Sequence, residues 1–103
     1  MPRPQKQRRC RVHEGDRVFK PASIPLRTLR TVSLALSELE AMRLCDVDGL
    51  DQGTAAQRMG VSRGTVQRLL KRGRAKTVGA ILRSDALIIE EGEHHEDLYT
   101  DHR

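Results

Sequence analysis

The amino-acid sequence predicts a mainly α-helical fold of three helices followed by a short β-strand. This domain is set between a basic N-terminal arm and an acidic C-terminal tail. Three observations carry the expectation. Capping residues and glycines bracket three helix-length segments between Ser37 and Ser84. The charge changes sign in zones along the chain. One short apolar run, ALII in the segment 86–91, has the β-rich composition of a strand. With 103 residues the chain has room for one domain at most.

Taken in order, residues 2–20 hold seven basic side chains (Arg3, Lys6, Arg8, Arg9, Arg11, Arg17, Lys20) against Glu14 and Asp16, with almost nothing apolar. Such a segment buries too little surface to offset the entropy of ordering, so residues 1–17 are expected to be a flexible basic arm. Next, Lys20-Pro21 and Ile24-Pro25 each disfavour helix at the residue before the proline, which predicts an extended or looped stretch. Val32, Leu34 and Leu36 alternate with Ser33 and Ala35, the period of a short strand. Ser37 and Glu40 have the S-x-x-E spacing of a capping box, and they predict a helix over residues 38–47 ended by Asp48-Gly49.

A second helix, 52–59, follows with Asp51 as its cap and Gly60 as its stop. Ser62 caps a third, whose Val66, Leu69, Leu70, Gly73, Thr77, Ala80 and Ile81 recur at spacings of three and four and define a buried face. Gly73 inside it costs about 1 kcal/mol relative to alanine, so a close packing contact or a kink is expected there. The strand 86–91 closes the domain, which spans residues 18–91. Residues 92–103 read as a disordered acidic tail. The core is small, and a second subunit would help it. A homodimer is expected, with residues 86–91 or the proline-flanked segment as the contact.

Composition narrows the function. The net charge is +5 and the pI about 9.9, which points to a polyanionic partner. One Phe, one Tyr and no Trp leave no stacking platform for single strands or RNA. No apolar run is long enough for a membrane span and the N-terminus lacks a signal peptide, so a soluble, cytoplasmic protein is expected. Two cysteines, Cys10 and Cys45, fit a reducing compartment, with Cys45 more a core residue than a redox switch. No nucleophile elbow, P-loop, catalytic carboxylate pair or zinc-protease motif occurs, so neither an enzyme nor a cofactor is expected.

Between residues 52 and 84 there are eight basic side chains (Arg58, Arg63, Arg68, Lys71, Arg72, Arg74, Lys76, Arg83) and no acid. That imbalance is costly unless an anion sits against it. Within this zone QGTAAQRMGVSRGTVQRLL has helix-turn-helix spacing. Ala56 is small enough for a close helix crossing, Gly60 makes the left-handed turn, and Val66 and Leu69 fill the angle. The second helix of such a motif enters the major groove of duplex DNA by its first turns. Arg63, Thr65, Gln67 and Arg68 are therefore the expected base contacts, with Gly64 among the outward-facing positions. Ser62, Arg58, Lys71, Arg72, Arg74 and Lys76 are the expected phosphate contacts. Arg3, Lys6, Arg8, Arg9 and Arg11 would follow the minor groove or the phosphates.

The chain also resembles the domain of unknown function 134 family, small prokaryotic proteins predicted to bind DNA, whose helix-turn-helix is similar to the promoter-reading region of sigma factors. MPRP, RRC, FKPASIPL, SELEAMRLCDVDGL and AAQRMGVSRGTVQRLL carry the resemblance. It implies a transcriptional regulator. Ser23 stands where the family's proline-flanked loop has glycine, and Gly64 where bulkier residues are common. The expected function is sequence-specific double-stranded DNA binding. Two alternatives are a module docking on RNA polymerase or another transcription factor, and a metal-responsive regulator using Cys10 and His13, the latter weak because a closed site needs four ligands.

Overall fold

The computed structural model describes residues 16–90. Its elements are β1 (Arg17–Phe19), a 3-10 turn (Leu26–Thr28), β2 (Thr31–Leu34), α1 (Leu36–Met42) continued by a π-helical turn (Arg43–Val47), α2 (Gln52–Met59), α3 (Arg63–Arg83) and β3 (Ala86–Ile89). The fold is thus mainly helical, but the expected C-terminal strand, which ends at Ile89, is the centre of a three-stranded sheet that also takes in the short strand expected near Val32 and Leu34. β3 pairs antiparallel with β1, Arg17 opposite Ile89, and in parallel with β2, Thr31 opposite Ala86. Arg17, assigned to the arm from its charge, is the first residue of β1. Residues 1–15 of the arm, Glu91 at the end of the expected strand, and the tail 92–103 lie outside the described residues.

The sheet has a consequence for association. Both edges of β3 are occupied, by β1 and β2, so a second copy could not add a strand to it. All four of its residues are buried, as a central strand requires.

α1 begins two residues earlier than Ser37 and Glu40 imply. Its N-cap is Ala35, whose amide donates to the Glu38 carboxylate at 3.0 Å. Ala35 has no side-chain acceptor to return the bond, so only half of a capping box forms. Ser37 lies inside the helix, buried, and its hydroxyl has no partner among the described residues. Glu40 instead pairs with Arg43 at 2.7 Å.

The other helix ends follow local chemistry. Asp51 accepts from the Thr54 amide at 2.7 Å and Ser62 from the Thr65 amide at 3.1 Å. α2 and α3 both stop in paired 6→1 and 5→2 bonds around a left-handed residue. At α2 that residue is Gly60 (φ 72°), with Val61 donating to Ala56. At α3 it is Ser84 (φ 60°), with Asp85 donating to Ala80. A side chain in this region costs about 1–2 kcal/mol. Ser84→Gly is therefore expected to raise the unfolding free energy by about 0.5–1 kcal/mol in denaturant titration, part of the relief being offset by glycine's greater unfolded-state entropy.

Two clusters form the core. Ala41, Leu44, Ala55, Ala56, Val66, Leu69 and Leu70 join the three helices, and Leu34, Ala80, Leu87 and Ile89 join α3 to the sheet. Met42 packs against both. α3 runs unbroken through Gly73, where close packing is the reason for glycine. A Cβ there would stand 3.2 Å from Met42 and 3.3 Å from the Glu38 Cβ.

Candidate nucleic-acid interface

The acid-free run of the sequence is divided in two by the fold. Arg72 and Lys76 sit one turn apart on α3 and reach across to one buried carboxylate, Glu38 of α1, at 3.3 and 2.8 Å. Arg74 grips Asp46 with two nitrogens, at 2.6 and 3.1 Å, and Arg83 meets Asp85 at 3.0 Å. The anions that offset the run are therefore largely internal. Arg58, Arg63, Arg68 and Lys71 are exposed and form no salt bridge among the described residues. The positive charge left uncommitted is concentrated at the end of α2 and on the first turns of α3.

Ala56, Gly60, Val66 and Leu69 come together at the α2–α3 corner, three of them buried and Gly60 in the turn. From this corner α3 projects Gln67, Arg68 and Lys71 into solvent, with Arg63 at its first position. Arg68 is oriented by its own helix, donating to the Thr65 hydroxyl at 3.2 Å, which also shares a hydrogen bond with Ser62 at 2.9 Å. Its guanidinium lies 3.8 Å from where a Gly64 Cβ would be, so the missing side chain keeps that group uncovered. Thr65 is corrected by the same geometry. It is buried, because it falls on the edge of the core-facing stripe, and its hydroxyl is spent on Ser62 and Arg68. It positions a base-contact candidate rather than being one.

Arg72 and Lys76 need a similar revision as phosphate contacts. Freeing Arg72 or Lys76 would weaken the neutralisation of a buried carboxylate, which is costly. The Arg74–Asp46 pair is half-exposed on both sides, and such pairs contribute little to stability, so Arg74 remains exchangeable. Glu38, Asp46 and Asp85 were missed as partners. The one signal in the sequence was the four-residue spacing of Arg72 and Lys76, which puts two cations on one helix face.

The arm residues Arg3, Lys6, Arg8, Arg9 and Arg11, and the weak metal candidates Cys10 and His13, lie outside the described residues. Among the described residues no group of three or more His, Cys, Asp or Glu is placed to hold a metal. No helix there is long and apolar enough to cross a membrane. Cys45 packs against the helical core. Burial, followed by the neighbouring Asp46 charge, pushes its thiol up and keeps it protonated.

A family model described as "Protein of unknown function DUF134" matches residues 1–97. The chain belongs to this family. DUF134 membership agrees with its relatives. It is 47% identical over 95 residues to a UPF0251 protein of Moorella thermoacetica, covering 92% of this chain and 64% of that one. A UPF0251 protein of Halothermothrix orenii is 44% identical over 94 residues, 91% of this chain and 70% of the relative. A UPF0251 protein of Vibrio cholerae is 46% identical over 90 residues, 87% and 92% of the two chains. The chain thus spans less than two thirds of the Moorella relative's length. No solved structure matches it.

Two carboxylates give the fold a small pH-dependent contribution. The Arg74 guanidinium holds Asp46 below the ordinary aspartate range, and the Thr54 amide does the same for Asp51. A carboxyl group whose pKa is lower in the folded state stabilises above its unfolded pKa and loses that contribution as pH falls through the folded value. For these two groups the contribution should be constant from neutral pH to about pH 5 and decline below about pH 4. Denaturant titrations across that range check it. In Arg74→Gln the Asp46 carboxyl should titrate closer to its ordinary value by NMR.

Proposed function

We propose that the chain is a sequence-specific double-stranded DNA-binding protein, a transcriptional regulator that uses α2, the Gly60 turn and α3 as a helix-turn-helix. The observation that carries this reading is the sorting of charge along α3. Cations in the middle and at the end of the helix are paired with internal carboxylates, while Arg63, Arg68 and Lys71 on its first turns form no salt bridge among the described residues, Arg63 having only the nearby charge of the exposed Asp51. A helix fits the roughly 12 Å width of the major groove and enters it by such turns. Arg63 and Arg68 can each bond guanine, and Gln67 adenine, in bidentate fashion. Arg58 and Lys71 suit phosphates, and the Ser62 hydroxyl with the first amides of α3 forms a further phosphate contact.

Binding to duplex should follow counterion release. Fluorescence anisotropy on a labelled duplex is expected to show an affinity that falls linearly on a log–log plot against salt, with a slope of about −0.9 per phosphate contacted. The absence of salt-sensitive duplex binding would contradict the reading.

A further inference from the structure

α3 has one solvent face, and its chemistry changes half-way along. From Gly64 to Lys71 that face is polar and basic. Ala75, Val78 and Leu82 continue the line of Lys71 at spacings of four, three and four, with Ile81 alongside. Val78, Ile81 and Leu82 are 54%, 72% and 78% exposed, and none belongs to either core cluster. This spacing is that of the apolar seam by which two helices pack against each other.

We propose that this stripe is where two copies of the chain associate, α3 against α3. Charge selects a second copy as the occupant. A two-fold contact sets the same patch against itself, so uncompensated like charges on its border would repel. Here the cations flanking Val78–Leu82 carry their own carboxylates, Arg74 on Asp46 at 2.6 Å and Arg83 on Asp85 at 3.0 Å, and Lys71, unpaired among the described residues, lies about two turns before Val78. Arg83 is also folded back over Gly79, where its guanidinium lies 2.9 Å from the place of a Cβ. The glycine thereby leaves room for the guanidinium beside the stripe. An acidic partner would find no unpaired cation along Val78–Leu82, whereas an apolar seam finds its match in itself. The filled edges of β3 close the alternative route through that strand.

The seam also lies on the same helix as the reading turns. Two copies joined through it would carry two reading ends at a fixed separation, as operators with half-sites about 34–36 Å apart require. Only this last consequence rests on the proposed DNA reading. A stripe of this length belongs to the class of small interfaces, below about 1,200 Å² in total, so the dimer should dissociate on dilution.

Sedimentation velocity of the full chain over a concentration series tests the proposal. The unsubstituted chain is expected to pass from monomer to dimer as concentration rises. The double variant Val78→Gln, Leu82→Gln should remain monomeric, and at concentrations where the parent is also monomeric its helical circular dichroism spectrum and melting temperature should be unchanged, since both side chains are exposed. A chain that stays monomeric throughout, or a dimer that survives the double substitution, would overturn the assignment. Should the double variant lose its fold, Ile81→Gln alone serves, and its dimer should dissociate at higher concentration than the parent's; an unchanged dissociation range would overturn the assignment. Duplex binding separates the two ideas. A dimer disrupted by the substitutions in a chain that never binds DNA would support the seam and contradict the DNA reading.

Discussion

Glu38→Ala is expected to lower the unfolding free energy by about 2–4 kcal/mol in denaturant titration. The carboxylate is buried, and one side chain does three things. It accepts from the Ala35 amide at the start of α1, from Arg72 and from Lys76. Alanine leaves that amide without its acceptor, removes the anion between two cations, and leaves a void beyond the Cβ that packs against Gly73. Breaking a fully buried pair costs about 3–5 kcal/mol, and the range here is lower because Arg72 and Lys76 are partly exposed and can return to water. Glu38→Gln should cost less, since the amide oxygen can still accept from Ala35. A loss under about 0.5 kcal/mol for Glu38→Ala, the size of an ordinary surface substitution, would show that the clamp does not hold α1 to α3.

The same substitution bears on DNA. With Glu38→Gln, Arg72 and Lys76 lose their internal anion and become available to phosphates. Non-specific affinity should rise and the salt slope steepen by up to about two contacts. On the proposed DNA reading, the carboxylate would limit how much of α3 adheres to any duplex and would leave base contact to its first turns.

Arg68→Ala has the second large effect. On the preferred duplex it should cost about 1–3 kcal/mol of discrimination at one base pair, with little change on random duplex. Lys71→Ala should instead weaken every sequence alike and reduce the salt slope by about one. Thr65→Val keeps the shape and removes the hydroxyl that orients Arg68, so it should lose part of the same discrimination without a contact of its own. Competition anisotropy with matched and mismatched duplexes measures all three. Equal losses on matched and random duplex for Arg68→Ala and Lys71→Ala would mean that Arg68 reads no base.

How much of this was legible in the sequence depends on the range of the interaction. Asp51, Gly60 and Ser62 act on amides and turns within a few residues, and those boundaries of α2 and α3 were read as they stand. α1 was read two residues late because its cap is made by Glu38 and the backbone of alanine, which leaves no Ser or Thr signature. β1 lies in a basic segment with no clear alternation, and only the distant β3 makes it a strand. β2 was read two residues long because Ala35 and Leu36, which continue the alternation, are used to start the helix.

The site shows the same division. The uncommitted row on the first turns of α3 follows from helical spacing. The neutralisation of Arg72 and Lys76 by a carboxylate 34 and 38 residues away does not, because only the packing of α1 at Gly73 brings the three together. Thr65 was misassigned for a subtler reason. It lies at the border of the buried face, where a small rotation of the helix decides between solvent and core.

Selection of bound duplexes from a random pool tests the central claim most directly. The account predicts enrichment of a short motif in which guanine and adenine positions respond to Arg68→Ala and Gln67→Ala, with a second copy of the motif one helical turn away. Recovery of duplexes with no enriched sequence, at a salt concentration where the chain still binds, would contradict it.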